Sequence, residues 1–161
     1  MTRRLTILAV LLGCATVASA QDSYRHGRIL SVEPGATLQR ATEPGAEEAL
    51  PNLPFLPGDR VWTDRAGRAE FQFADGTVLR LDTGSKLDYV AHDDGGGDRV
   101  ILRLWSGGLY LHNRDGRGYP DFGIETPAGV VEARVRGVYR VDAVAGETRL
   151  SVYEGEAALQ A

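Results

Sequence analysis

An all-β fold is what this sequence predicts, on three observations. From Val131 to Asp142 the odd positions are small or apolar and the even ones mostly charged, with Val138 the exception. That is the alternation of a half-buried strand, whose successive side chains point to opposite faces of a sheet. The 20 glycines among 161 residues punctuate the chain and leave short alternating runs between turn signals. Beyond the first twenty residues no stretch carries the 3.6-residue periodicity of an amphipathic helix. A single domain of short antiparallel strands is expected, as a sandwich, a roll or a short β-helix-like stack.

The first twenty residues read as a leader rather than as part of the fold. Arg3 and Arg4 precede an almost uncharged apolar run, Leu5 to Val17, which ends in Ala18-Ser19-Ala20. This is the order of a secretory signal peptide, with cleavage expected between Ala20 and Gln21. The apolar run is short for a membrane span. Leu11-Leu12-Gly13-Cys14 resembles a lipoprotein lipobox, so lipidation at Cys14 is the alternative processing. The chain is expected to be exported, to the periplasm or the cell surface, or secreted, with a lipoprotein form as the alternative. Cys14 is the only cysteine, so no internal disulfide is available to the folded part.

The remaining residues suffice for one domain. The net charge is −4, and loss of Arg3 and Arg4 with the leader makes it more acidic by two. Charges of both signs are interspersed, which argues against a nucleic-acid partner and a polybasic membrane clamp. No further segment is apolar enough to span a membrane, so no transmembrane span is expected in the mature chain.

Candidate strands follow in order. Arg28–Val32 closes at Pro34-Gly35, and Ala36–Arg40 at Pro44-Gly45. Residues 47–58 then carry Pro51, Pro54 and Pro57, each without a backbone donor, so a central strand is excluded there. Leu53, Phe55 and Leu56 make this a connection packed on the domain rather than a partner-binding loop. Residues 21–57 thus read as N-terminal strands plus a Pro-rich connection, and 58–161 as the main β domain. Arg60–Thr63 and Ala69–Phe73 follow. Asp75-Gly76 is a turn, and keeping the apolar face continuous calls for an open arch or for a three-residue loop, Asp75-Gly76-Thr77, that sets Phe73 against Leu79 and Phe71 against Leu81. Val78–Asp82, Lys86–Ala91 and a strand from Val100 come next, with Ser106-Gly107-Gly108 read as a turn into Leu109–His112. Phe122–Thr126, Val130–Ala143, Thr148–Tyr153 and Ala157–Leu159 complete the series, with Val135 on the buried face of its strand. The chain stops at Gln160-Ala161 directly after a strand pattern, which fits either a complete short protein or the front of a longer one.

Chemistry-bearing constellations are absent from the sequence. His26, His92 and His112 lack metal-ligand spacing and read as surface histidines. His92 to Asp98 gathers three aspartates in a glycine-rich loop but lacks an EF-hand's closing acid and helices. Ser85 and Ser106 lie in no nucleophile-elbow pattern, and no glycine loop opens a helix to cradle phosphate. No catalytic residue, cofactor site or metal site is therefore expected, and the protein reads as not an enzyme.

From Gly58 onward the order of motifs resembles a FecR-type domain. The resemblance runs through Gly58-Asp59-x-Val61-x-Thr63, Gly67-Arg68-Ala69-Glu70-Phe71 and Asp75-Gly76-Thr77-Val78-Leu79-Arg80-Leu81. It continues in Leu102-x-Leu104-x-x-Gly107-Gly108-Leu109 and Glu125-Thr126-Pro127-x-Gly129-Val130-Val131, then in Gly137-x-Tyr139-x-Val141 and Leu150-x-Val152-x-Glu154-Gly155. It covers about residues 58–159 and, more loosely, Gly27 onward. The resemblance implies an extracytoplasmic all-β domain. Regulators of this kind pass signals from an outer-membrane receptor to a cytoplasmic sigma factor, using an N-terminal sigma-binding segment and a membrane helix. Here a cleavable leader stands in that place, and Gly137-Val138-Tyr139 replaces the usual Gly-Thr-x-Phe. The likeness is therefore to exported FecR-domain proteins, and anti-sigma activity is not implied. The expected role is a non-enzymatic envelope module for interaction or sensing, its partner an envelope protein or a glycan. A structural surface or secreted protein, and a cell-wall glycan-acting enzyme, are the alternatives.

Overall fold

A computed structural model describes residues 26–93, 99–114 and 121–161. The leader lies outside the described residues, and with it Cys14, Ala20 and Gln21. The described residues hold fourteen strands and no helix. The first seven are β1 (Gly27–Val32), β2 (Ala36–Gln39), β3 (Ala46–Glu48), β4 (Pro54–Phe55), β5 (Arg60–Thr63), β6 (Ala69–Gln72) and β7 (Val78–Leu81). They are followed by β8 (Lys86–Asp93), β9 (Arg99–Asn113), β10 (Asp121–Thr126), β11 (Gly129–Ala133), β12 (Gly137–Val144), β13 (Glu147–Glu154) and β14 (Ala158–Gln160).

The strands form two layers that share β9. The first runs β4-β1-β6-β7-β9-β12-β13, using the C-terminal half of β9. The second runs β3-β2-β5-β8-β9-β10-β11-β14, using its N-terminal half. All pairs are antiparallel except β9 with β10, which is parallel. The core lies between the layers. Phe55 and Phe73 of the first layer meet Tyr89 of the second at 5.2 and 6.1 Å between ring centroids, and Phe73 meets Phe122 at 5.1 Å. Leu79, Leu81, Leu109, Leu111 and Val141 face Leu87, Leu102, Leu104, Ile124 and Val131 in this interior, all with no solvent exposure. A two-layer sandwich buries one face of each sheet, which is why the alternating pattern is so regular.

Three local expectations change. Ser106-Gly107-Gly108 is a bend inside β9 rather than a turn: Gly107 has φ +85°, and the strand continues from one layer into the other. The run 131–142 is two strands rather than one, with β11 in the second layer and β12 in the first. Residues 134–136 form the corner between them, so Val135 is 40% exposed. Alternation continues across the corner in sequence, but the sheet that would bury Val135 ends at Ala133. The hairpin loop is Ala74-Asp75-Gly76, not Asp75-Gly76-Thr77: Phe73 N–H donates to Thr77 O (2.9 Å), and Phe71 pairs with Leu79. The loop is three residues long as face continuity requires, but lies one residue earlier. Asp75 decides this by accepting from the Thr77 N–H at 2.9 Å and the Thr77 hydroxyl at 2.5 Å, which draws Thr77 into the ladder.

The Pro-rich segment packs down as expected, with Ala49 and Phe55 buried and Pro54 confined to the two-residue edge strand β4. Asp59, buried, is its staple. Its carboxylate accepts from the Leu56 N–H (3.0 Å), the Ala41 N–H (3.3 Å) and Arg40 Nη1 (2.8 Å). Residues 46–48, expected to be irregular in part, form the edge strand β3.

Candidate interaction surface

The outer face of the second layer carries an ordered polar and aromatic array. Directly opposed residues share a face, so cross-strand register alone builds it. Arg60, Asp88, Arg103 and Glu125 form one row across four adjacent strands, with alternating charge. Arg60 grips Asp88 with two parallel hydrogen bonds, Nε to Oδ1 at 2.6 Å and Nη2 to Oδ2 at 2.8 Å. Such fork-to-fork pairs fix orientation as well as charge. Arg103 Nε donates to Glu125 Oε2 at 2.7 Å. Burial pushes Asp88 up, but the Arg60 and Trp105 hydrogen bonds and the Arg60 and Lys86 charges outweigh it, so its carboxyl lies below the usual carboxylate range.

The neighbouring row holds Trp62 opposite Lys86 and Lys86 opposite Ser106. Trp105 stands beside it on β9, where the β8–β9 register slips. Its indole N–H donates to Asp88 Oδ2 (2.8 Å), and Arg103 and Lys86 lie 5.5 and 5.9 Å from its ring. Trp105 is thus held in place yet 42% exposed. A depression of about 380 Å³ opens beside it, lined by Gln39, Arg60, Trp62, Lys86 and Ser106. Trp62 and Trp105 are the only tryptophans in the chain, and Lys86 is the only lysine. Tryptophan and arginine held in place and open to solvent are the residue types that anchor binding surfaces.

The outer face of the first layer is built differently. Arg140 chelates Asp142 (Nη2 to Oδ1, 2.6 Å) and lies 4.5 Å from the Tyr110 ring, while Tyr153 stacks on Tyr110 at 6.3 Å. Arg80 Nε bonds Glu70 (2.6 Å), which also accepts from Ser31 (3.0 Å). Charges are paired locally on this face as on the other, and it carries tyrosines in place of the two tryptophans.

The histidines separate. His112 is exposed on the first layer's outer face, whereas His26 and His92 come together with ring centroids 6.2 Å apart, a proximity their 66-residue separation conceals. Among the described residues no group of three or more His, Cys, Asp or Glu side chains is placed to hold a metal ion. Asp94 and Asp98 of the acidic loop lie outside the described residues. Ser85 is buried; its hydroxyl accepts from the Gly108 N–H at 2.9 Å and so locks the β9 bend.

The motif residues turn out to be structural. Gly58 has φ +91°, and an added Cβ would lie 2.6 Å from Ala41 Cβ. Thr63 Oγ1 donates to Asp82 O (2.6 Å) and accepts from the Ser85 N–H (3.0 Å). Tyr139 donates to Val135 O (2.8 Å), with Glu156 O 3.1 Å from the same hydroxyl, so it ties the corner at 134–136 to the chain after β13. Of these, Thr63 lines the depression beside Trp62 and Lys86, whereas Gly58 and Tyr139 do not. The alternation at Trp62 beside Val61 and Trp105 beside Leu104 is legible in sequence; their meeting on adjacent strands is not.

Comparison with known proteins agrees with this architecture. No curated protein matches the chain. Two crystal structures of a candidate anti-sigma factor from Parabacteroides distasonis are similar, at 20% and 19% identity with TM-scores of 0.50 and 0.49. Each match covers 62% of this chain and 46% of the other, so this chain spans less than half the length of those structures. A family model described as FecR protein matches residues 59–158, the span from the Asp59 staple to the start of β14. On that match, which takes in most of the chain, the protein belongs to the FecR family.

Proposed function

We propose that this chain is an exported, non-enzymatic module of the cell envelope, and that its FecR-type domain senses or holds a protein or glycan partner on the Trp62–Lys86–Trp105 face. Membership of the FecR family supports a sensing role in the envelope. The leader pattern supports export. Among the described residues no helix is long and apolar enough to cross a membrane, which fits delivery by that leader.

The observation that carries the reading is the placement of Trp62 and Trp105 on one outward face with Lys86 between them. An indole exposed in water costs free energy that burial against a partner returns. Lys86 and Arg103 add cations for an anionic or hydroxyl-rich ligand.

The test uses the tryptophans as their own reporters. Tryptophan fluorescence is followed while solubilised cell-wall glycan is titrated in, and a crosslinking pull-down from intact cells is run in parallel. A spectral shift or a recovered envelope protein is expected, and Trp105→Ala and Lys86→Glu should abolish it. Wild-type protein that responds to neither overturns the reading.

A further inference from the structure

Each layer ends in two edge strands, and three of these four edges are blunted. β4 has two residues, one of them Pro54, which has no N–H to offer. β3 has three residues ending in Glu47-Glu48, and β14 has three. β13 is different. It runs eight residues, about 26 Å at strand rise; its register with β12 is unbroken from Glu147 to Val152 and slips at Tyr153, and among the described residues no strand pairs with its outer edge. Nor is it protected by inward charge: Leu150 and Val152 lie opposite the buried Val141 and Tyr139 on the inward face. Val152 is 44% exposed and Tyr153 63%. Stable monomers blunt such edges, because unpaired backbone donors and acceptors beside apolar side chains recruit another strand.

We propose that β13 pairs with β13 of a second copy of this chain, antiparallel about Ser151, which joins the two first layers into one continuous sheet. The side chains of the strand choose this occupant and this register. Centred on Ser151, Leu150 meets Val152 of the other copy on the inward face, twice by symmetry. On the outward face Arg149 meets Tyr153, a cation against an aromatic ring. Beyond Val152 the slip at Tyr153 sets Glu154 opposite the outward Val138, so the regular pairing ends at Arg149 and Tyr153 and opposes no like charges. A one-residue slip in either direction puts inward residues opposite outward ones, which penalises that alternative. Thr148 anchors the near end of β13 to the second layer through the Thr126 hydroxyl (2.5 Å), so the strand is presented already ordered.

The purified protein is examined by sedimentation over a range of concentrations, with far-UV circular dichroism to establish folding. A reversible dimer is expected, and Val152→Lys, which sets two ammonium groups against apolar partners, should weaken it about tenfold or more. In a Cys14→Ser background, Ser151→Cys should form a disulfide-linked dimer. Directly opposed Cα atoms lie about 4.5–5.5 Å apart, within disulfide reach. Arg149→Cys, whose opposite is Tyr153, should not crosslink. A folded protein that stays monomeric at every concentration, with Ser151→Cys uncrosslinked, overturns the proposal and leaves the edge to a strand of another protein. A dimer that ignores Val152→Lys and does not crosslink at Ser151 overturns it too.

Discussion

Gly107→Ala tests the feature on which the two-layer architecture depends, the bend in β9. At Gly107 the backbone is at φ +85°, and a Cβ there would lie 2.1 Å from Ser85 Oγ, 2.6 Å from Ser85 Cα and 2.7 Å from Ser85 Cβ. Two costs add. Holding an L-residue in a left-handed conformation costs about 1–2 kcal/mol. Moving Ser85 aside breaks its hydrogen bonds to the Gly108 N–H (2.9 Å) and Gly108 O (3.2 Å), at about 1 kcal/mol each. The expected loss is therefore about 3–4 kcal/mol, a fall in Tm of roughly 10 °C or more. Gly84→Ala is the internal control. Gly84 has φ +65° with nothing within 4 Å of its absent Cβ, so that variant pays the conformational term alone, about 1–2 kcal/mol. Thermal and urea unfolding followed by circular dichroism measures both. Equal losses from the two variants would refute the claim that close contact with Ser85 sets the bend.

Three further outcomes are expected. Ala145 and Gly146 form a two-residue hairpin connection with φ +53° and +81°, so Ala145→Asn should raise stability by about 0.5–1 kcal/mol; an unchanged urea midpoint counts against that turn. Val131→Asp buries an unpaired charge and should unfold the domain, whereas Val135→Asp at the exposed corner should stay within about 0.5 kcal/mol of wild type. Circular dichroism of the two variants decides whether the chain turns between them. Asp88, and likewise Asp82 through the Thr83 N–H, Arg68 and Arg140 acting against burial, are held below the ordinary carboxylate range. A carboxylate depressed on folding contributes stability above its unfolded pKa of about 3.9 and loses it as pH falls through the folded value. Tm should therefore be flat near neutral pH and drop below about pH 4, and Asp88→Asn should shallow that drop; identical acid limbs would remove Asp88 from the account.

Local sequence determined the strands and their faces. Period-two alternation reports which side chains share a face, because the strand geometry is local and repeats every two residues. Hence the buried positions of Phe71, Leu79, Leu102, Leu104 and Val141, and the outward setting of Trp62 and Trp105, could be read directly. The motif order from Gly58 to Gly155 likewise carried the family. What sequence left open was every question of which sheet a residue belongs to. Alternation passes unbroken through Val135, because nothing local records that the sheet stops at Ala133. Ser106-Gly107-Gly108 has the composition of a turn, and only packing against Ser85 makes it a bend in a continuous strand. The pairing of Trp62 with Lys86, the parallel match of β9 with β10, and the long open edge of β13 are likewise contacts between distant segments. Their energies arise only when both partners are in place, so the interaction surface and the edge were decided by tertiary structure alone.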